Sequence, residues 1–190
     1  MTDFHSLLIS RRTAHRFSAK PVESSHVARA LQAANQAPCH KHTHPWTFYS
    51  IGQETRKKLV PTVTELAAEK SLKKKSDTVE EDLKRAIAKV MTPPVLFAVT
   101  SKLSPEDAFR EKEDYAASVC ALHNMVLSLW GDGVAAKWST SALTRHPETY
   151  SVLGIDADVE EIIGFVKAGY AERLPKVEKP STDATTQFLP

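Results

Sequence analysis

Cysteine is scarce: the 190 residues contain only Cys39 and Cys120, with no Cys-x-x-Cys. A disulfide framework is excluded. Long apolar runs are also missing. None reaches the roughly 18 to 20 residues that cross a bilayer, and no basic segment followed by an apolar run opens the chain. These absences predict a soluble, cytoplasmic protein without a membrane partner. The start approaches the composition of a transit peptide only through Arg11, Arg12 and Arg16. Charge of one sign is lacking too: 25 Lys and Arg face 23 Asp and Glu, for a net +2. No global field can hold nucleic acid, so any anionic ligand must be held locally. No repeat of 20 to 50 residues is found, which excludes solenoids and propellers. The remainder, 42% hydrophobic and 25% charged, is the composition of an ordinary folded chain, and the length suits a single domain over residues 1–190.

Periodicity places the elements. Phe4, Leu7 and Leu8, behind Thr2 or Asp3 as a cap, predict a short helix ending near Arg11-Arg12. Ser24 or Ser25 caps a second helix with Val27, Ala30, Leu31 and Ala34 on one face, ending at Pro38. Trp46 to Ile51 is aromatic and β-branched and reads as a strand. From Glu54 to Lys89 the chain predicts two helices, interrupted by Pro61. Lys73-Lys74-Lys75 forms an exposed junction, either a mobile cover or a plain solvated surface.

Val95 to Thr100 is a continuous apolar run suited to a strand buried on both faces. Ser104-Pro105-Glu106-Asp107 combines a cap, Pro at the first helical position and an acid, and should start the longest helix. There Tyr115, Val119, Leu122, Val126 and Leu129 share a wide apolar face, with Cys120 as packing and His123 packed or at an interface. A strand over Val134 to Trp138, a helix over Pro147 to Val152 and a strand over Glu161 to Tyr170 follow. The polar tail 171–190 either dangles or wraps another surface. The class expected is α+β, a small mixed sheet surrounded by helices.

Few residues carry chemistry. Arg11, Arg12 and Thr13, with His15 close behind, supply two guanidinium forks and a hydroxyl. These suit a phosphate, although a basic helix end has the same composition. His40, His42 and His44 alternate, and in an extended loop they would face one way, with Cys39 near. No second ligand pair exists, so a polar loop lining a ligand is the better reading and no metal is expected. Gly131-Asp132-Gly133 follows a helix rather than a strand and is not a Gly-x-Gly-x-x-Gly phosphate loop. No nucleophile motif is present.

The order of these pieces resembles the nitroreductase family of FMN-dependent oxidoreductases over nearly the whole chain. Arg11-Arg12-Thr13-Ala14-His15-Arg16-Phe17 stands where members have Arg-Arg-Ser-x-Arg-x-Phe, and Ala37-Pro38-Cys39 with His44-Pro45-Trp46 where they have Ala-Pro-Ser and Gln-Pro-Trp. Gly131 to Trp138 takes the place of a Gly-Leu-Gly-x-x-Trp turn. Ala37-Pro38-Cys39-His40-Lys41 and Trp138-Ser139-Thr140-Ser141-Ala142-Leu143-Thr144 are similar to a short, minimal subgroup.

The resemblance implies an intertwined homodimer with the tail embracing the partner, and FMN as cofactor with NADH or NADPH as donor. Hydride would pass in ping-pong fashion through flavin N5 to a nitro, quinone or similar small acceptor. It implies that Arg11, Arg12, Thr13 and His15 hold the FMN phosphate and ribityl chain and that Trp138, Ser139 and Thr140 flank the flavin. Gln36 and His40 reach a flavin held mainly by the partner subunit, and Gly131, Asp132 and Gly133 contact the nicotinamide. No catalytic side chain is implied, because the flavin carries the chemistry. His42, Thr43 and His44 stand where the wider family has Asn and Gln. Two alternatives remain: the same fold serving flavin fragmentation, dehalogenation or sequestration, and a helical interaction protein with a histidine-loop metal site.

Overall fold

The computed structural model describes residues 3–190. Thr2, one of the two caps expected for the first helix, lies outside them. Asp3 is the cap, accepting from the Ser6 backbone N–H at 3.1 Å and opening α1 (Phe4–Ser10). The remaining elements are α2 (Ser24–Ala34), β1 (Trp46–Ser50), α3 (Gln53–Lys73), α4 (Val79–Met91), β2 (Val95–Lys102), α5 (Ala108–Gly131), β3 (Ala135–Ser139), α6 (Pro147–Leu153) and β4 (Glu160–Gly169).

The four strands run in the order β1-β2-β4-β3, and every neighbour pair is antiparallel. Among the described residues the one parallel pairing is an isolated bridge between Thr13 and Ala136. The mixed sheet expected from sequence is thus antiparallel throughout its named strands.

β2 lies in the middle of the sheet, and its alternation explains the continuous apolar run. Phe97 and Val99 pack with Leu122, Met125 and Leu129 of α5, while Leu96 and Ala98 pack with Leu59 and Val63 of α3. A strand covered on both faces needs apolar residues at every position. The second core continues through Phe165 of β4 and Leu143 and Ile155 around α6. A bulge between Val99 and Thr100 lets Gly164 and Ile162 pair across the shift.

Several local expectations change. Pro61 does not interrupt the third helix, which runs unbroken over 21 residues. A proline removes one backbone bond at a cost of about 3 kcal/mol, and here burial of Leu59 and Val63 beside it offsets that loss. The longest helix starts later than Ser104. Asp107 is its cap, accepting from the N–H groups of Phe109 and Arg110, and Ser104 to Asp107 closes a turn instead.

Cys120 is exposed rather than packed, and Tyr115 is 39% exposed. The buried stripe of α5 uses smaller residues, Ala117, Ser118 and Ala121, where the helix comes close to the sheet. There the Ser118 hydroxyl bonds the Ser101 hydroxyl at 3.0 Å. Large apolar residues dominate a periodicity pattern, but close approach selects small ones.

Candidate functional site

Past α1 the chain runs along the outer edge of the sheet. Thr13 bridges Ala136 of β3, the Ser18 N–H donates to the Tyr170 carbonyl, and Phe17 bridges Ala171. This path lays Arg11, Thr13 and His15 beside β3. Arg11 Nη1 lies 3.5 Å from the Thr13 hydroxyl, and Lys137 Nζ lies 3.3 Å from His15 Nδ1. Arg12 differs from Arg11: its Nη1 donates to the carbonyls of Ile9 at 2.8 Å and Arg11 at 2.9 Å, finishing α1. The reading of this segment as a helix end therefore describes Arg12. Arg11 makes no such backbone bond, and it lies close enough to His123 on α5 to help lower that residue's pKa, after partial desolvation of the ring.

At the end of β3, Trp138 Nε1 donates to the Ile163 carbonyl at 3.2 Å, and the indole covers Gly164. The Ser139 hydroxyl reaches the Phe165 carbonyl at 3.4 Å, and Thr140 is exposed. Ser139, Thr140 and Ser141 form one wall of a cleft of about 860 Å³, whose other wall is built by α3 and α4. This is within the range of small-ligand sites. Lys137 and Lys167 line its floor. Burial first, then Lys137 and then Lys89, pushes Lys167 down to about 8. Lys137 itself is lowered by burial and then by Lys89. Of the junction lysines, Lys74 lines this cleft and Lys73 pairs with Glu69 at 3.6 Å.

His40 lies apart from the Arg11 group. Its Nδ1 is 3.9 Å from Glu113, ten residues before His123, or about 15 Å along α5 at a rise of about 1.5 Å per residue. Gln36 is exposed just beyond α2. The histidine loop is not extended: Lys41, His42 and His44 all take positive φ, at 51°, 55° and 43°, around a 3₁₀ turn. Alternate residues therefore do not share a direction. The His42 and His44 rings are 6.3 Å apart and tilted, and the His44 ring stands edge-on to Trp46. Among the described residues no group of three or more His, Cys, Asp or Glu is placed to hold a metal. The loop is held by the Thr43 hydroxyl, which donates to Asp114 at 2.7 Å, and by Arg110, which bonds the other Asp114 oxygen at 3.1 Å.

Gly131, Asp132 and Gly133 terminate α5. Gly133 takes φ 75°, and the Val134 N–H returns to the Leu129 carbonyl at 2.9 Å. Asp132 Oδ1 pairs with Arg29 at 3.0 Å, while its Oδ2, 3.1 Å from His26 Nδ1, has no hydrogen-bond partner among the described residues. Lys137, Lys167, Lys89, Asp114 and Gly164 escaped the motif reading. The signal for Lys167 was a lone lysine inside Ile-Ile-Gly-Phe-Val-Lys-Ala-Gly, where a cation in an apolar strand marks a buried charge.

Comparison with known proteins agrees with this architecture. The model of the nitroreductase family matches residues 8–170. The chain is 28% identical over 185 residues to "Putative NAD(P)H nitroreductase YfhC" of Bacillus subtilis (strain 168), covering 96% of this chain and 92% of that protein. A nitroreductase-like family protein from Bacillus cereus superposes with a TM-score of 0.82 at 24% identity, over 100% of this chain and 97% of that one. The FMN and NADPH-dependent nitroreductase NfnB from Sphigopyxis sp. strain HMH gives 0.77 at 15% identity, over 98% of both chains. At these identities the two solved structures speak to the fold. No helix among the described residues is long and apolar enough to cross a membrane.

Proposed function

The chain belongs to the nitroreductase family, and from that membership we propose that it is an FMN-dependent NAD(P)H oxidoreductase that reduces a nitro, quinone or similar small acceptor. The observation that carries this reading is the alignment of Arg11, Thr13 and His15 beside β3, where Arg11 meets the Thr13 hydroxyl and His15 meets Lys137, which lines the cleft edged by Ser139 and Thr140. The residues present fit the cofactor. A cation without a backbone bond, a hydroxyl and a second cation lie in sequence along one sheet edge, and a cleft wide enough for a ring system opens beside them.

Bound FMN supplies the hydride exchange, so the chain needs no side-chain nucleophile. Arg11 and Thr13 hold the phosphate, with fixed charge and bidentate donors from the guanidinium. His15 accepts from Lys137 and sets the position of that ammonium. Trp138, fixed to the Ile163 carbonyl, closes one flank of the ring, and the Ser139–Thr140 segment edges the cleft. Gln36 and His40, which lie apart from the Arg11 group, serve the site of a second copy.

The NAD(P)H nitroreductase name of the Bacillus subtilis relative supports NAD(P)H as donor, and the FMN and NADPH dependence of NfnB supports FMN. The test is a visible spectrum of the purified protein after incubation with FMN, followed by steady-state oxidation of NADH and NADPH with quinone and nitroaromatic acceptors. A flavin band that remains after gel filtration, together with acceptor-dependent nicotinamide oxidation, is expected. A colourless protein that takes up no FMN would sink the reading.

A further inference from the structure

Surface lysines of this chain find carboxylates: Lys57 meets Glu54 at 2.7 Å and Lys84 meets Glu80 at 2.8 Å. Lys89, Lys137 and Lys167 do not, and they meet in one cleft. Lys137 and Lys167 are directly opposed in the β3–β4 register, which turns both side chains to the same face of the sheet. Lys89 comes from the last turn of α4 to the same cleft. None of the three has an acidic partner among the ion pairs of the described residues. Like charges directly opposed in a sheet repel, and removal from water raises the cost further.

The cleft shows the same imbalance. Lys70, Lys74 and Arg85 also line it, and its one acid, Asp82, is already occupied. The Asp82 carboxylate accepts from Ser76 at 2.7 Å and from Ser71 at 3.1 Å, and it lies 3.6 Å from Arg85. The Thr140 and Ser141 hydroxyl side chains line the same cleft as neutral donors that can complete the shell of an anion, while the Ser139 hydroxyl is taken by the Phe165 carbonyl. A partly buried cluster of unpaired cations destabilises the fold, and such an arrangement is useful only when a ligand brings the opposite charge.

We propose that Lys89, Lys137 and Lys167 form an oxyanion subsite that takes the phosphate or carboxylate group of a small organic ligand bound in this cleft. The inference deepens the flavin reading and rests on it for the ligand's surroundings, whereas the charge argument stands on the lysines alone. The oxyanion has two possible sources. One is the flavin's own phosphate, reached through the Lys137–His15 contact. The other is an acidic acceptor lying beside the flavin.

Calorimetric titration with inorganic phosphate and with benzoate at pH 7, on the flavin-free and FMN-saturated full chain, tests the subsite. Binding by the flavin-free chain is expected. Lys137→Gln and Lys167→Gln should each weaken it about tenfold, the scale of one lost charged hydrogen bond. Lys89→Gln, on a helix surface, should do the same without touching the sheet, and Lys57→Gln should change nothing. If the flavin phosphate is the source, FMN saturation abolishes phosphate binding and the lysine variants weaken FMN more than riboflavin. If an acidic acceptor is the source, binding survives FMN saturation and the KM for 4-nitrobenzoate rises about tenfold over that for nitrobenzene. Absence of phosphate and benzoate binding, or equal binding by all three lysine variants and the parent, overturns the proposal. Intact oxyanion binding in a chain that takes up no FMN would instead overturn the flavin reading and leave the subsite standing.

Discussion

A Cβ added at Gly164 would meet the Trp138 indole Cδ1 at 2.5 Å and the Ser139 carbonyl at 3.3 Å, closer than side chains normally pack. Glycine is needed here for close approach, since the indole lies against the strand and donates to the Ile163 carbonyl. Gly164→Ala should therefore lift Trp138 off β4, cost about 1 to 3 kcal/mol by overpacking, and weaken FMN binding through the displaced flank. Tryptophan fluorescence and flavin titration read the two effects. Unchanged flavin affinity with a displaced indole would remove Trp138 from the site.

Lys167 ties stability to pH. Its folded pKa of about 8 lies below the ordinary 10.5, so between those values the unfolded chain binds more protons than the folded one. Stability of the ligand-free protein then rises with pH from about 8 to about 10.5, and the full penalty is present below 8. Lys167→Met should raise the melting temperature at pH 7, by roughly 2 to 4 °C per kcal/mol recovered. It should also flatten the rise above pH 8 without abolishing it, because Lys137 is shifted the same way. A variant that melts lower at pH 7 contradicts the charge argument.

Among the elements, α5 and the histidine loop are coupled through one buried acid. Asp114 is 1% exposed and receives Thr43 and Arg110, whose side chain is 18% exposed. The loop stores strain at three non-glycine residues with positive φ, each costing about 1 to 3 kcal/mol. Asp114→Ala leaves a partly buried guanidinium unpaired and should destabilise by about 3 kcal/mol, with hydrogen exchange accelerating first at residues 40–44. Exchange that quickens uniformly along the chain would show that Asp114 does not hold the loop.

Most elements were legible from caps and periodicity: Asp3 and α1, the αL residue Gly154 after α6, and the apolar run of β2 all sit where local rules place them. What escaped was decided by distant neighbours. Pro61 is carried through α3 by its packing, and the loop with three left-handed residues is held through Thr43, which donates to Asp114 71 positions away. The motif residues of the candidate site were visible as motifs, and Arg11, Thr13 and His15 fall on one edge. Lys137 and Lys167 were invisible because only the strand register makes them neighbours.

The whole molecule leaves much apolar surface uncovered. Phe4 and Ile9 on α1 are 70% and 62% exposed, Phe109 at the start of α5 is 73% exposed, and Phe188 and Leu189 in the tail are 91% and 85% exposed. Isolated exposed apolar residues are ordinary, but residues of this size on one helix, on the amino-terminal turn of another and on an extended tail suit burial against a second copy. In the proposed shared site a homodimer would also bring the His40 of one chain toward the Arg11 group of the other. Light scattering on the eluting protein should give about twice 21.0 kDa. The double variant Phe4→Ser, Phe109→Ser should elute at the monomer mass and lose most of its FMN, while keeping its far-ultraviolet circular dichroism because neither residue lies in a core. A folded monomer that holds FMN as tightly as the dimer would refute the shared site and leave Arg11, Thr13 and the cleft sufficient on their own.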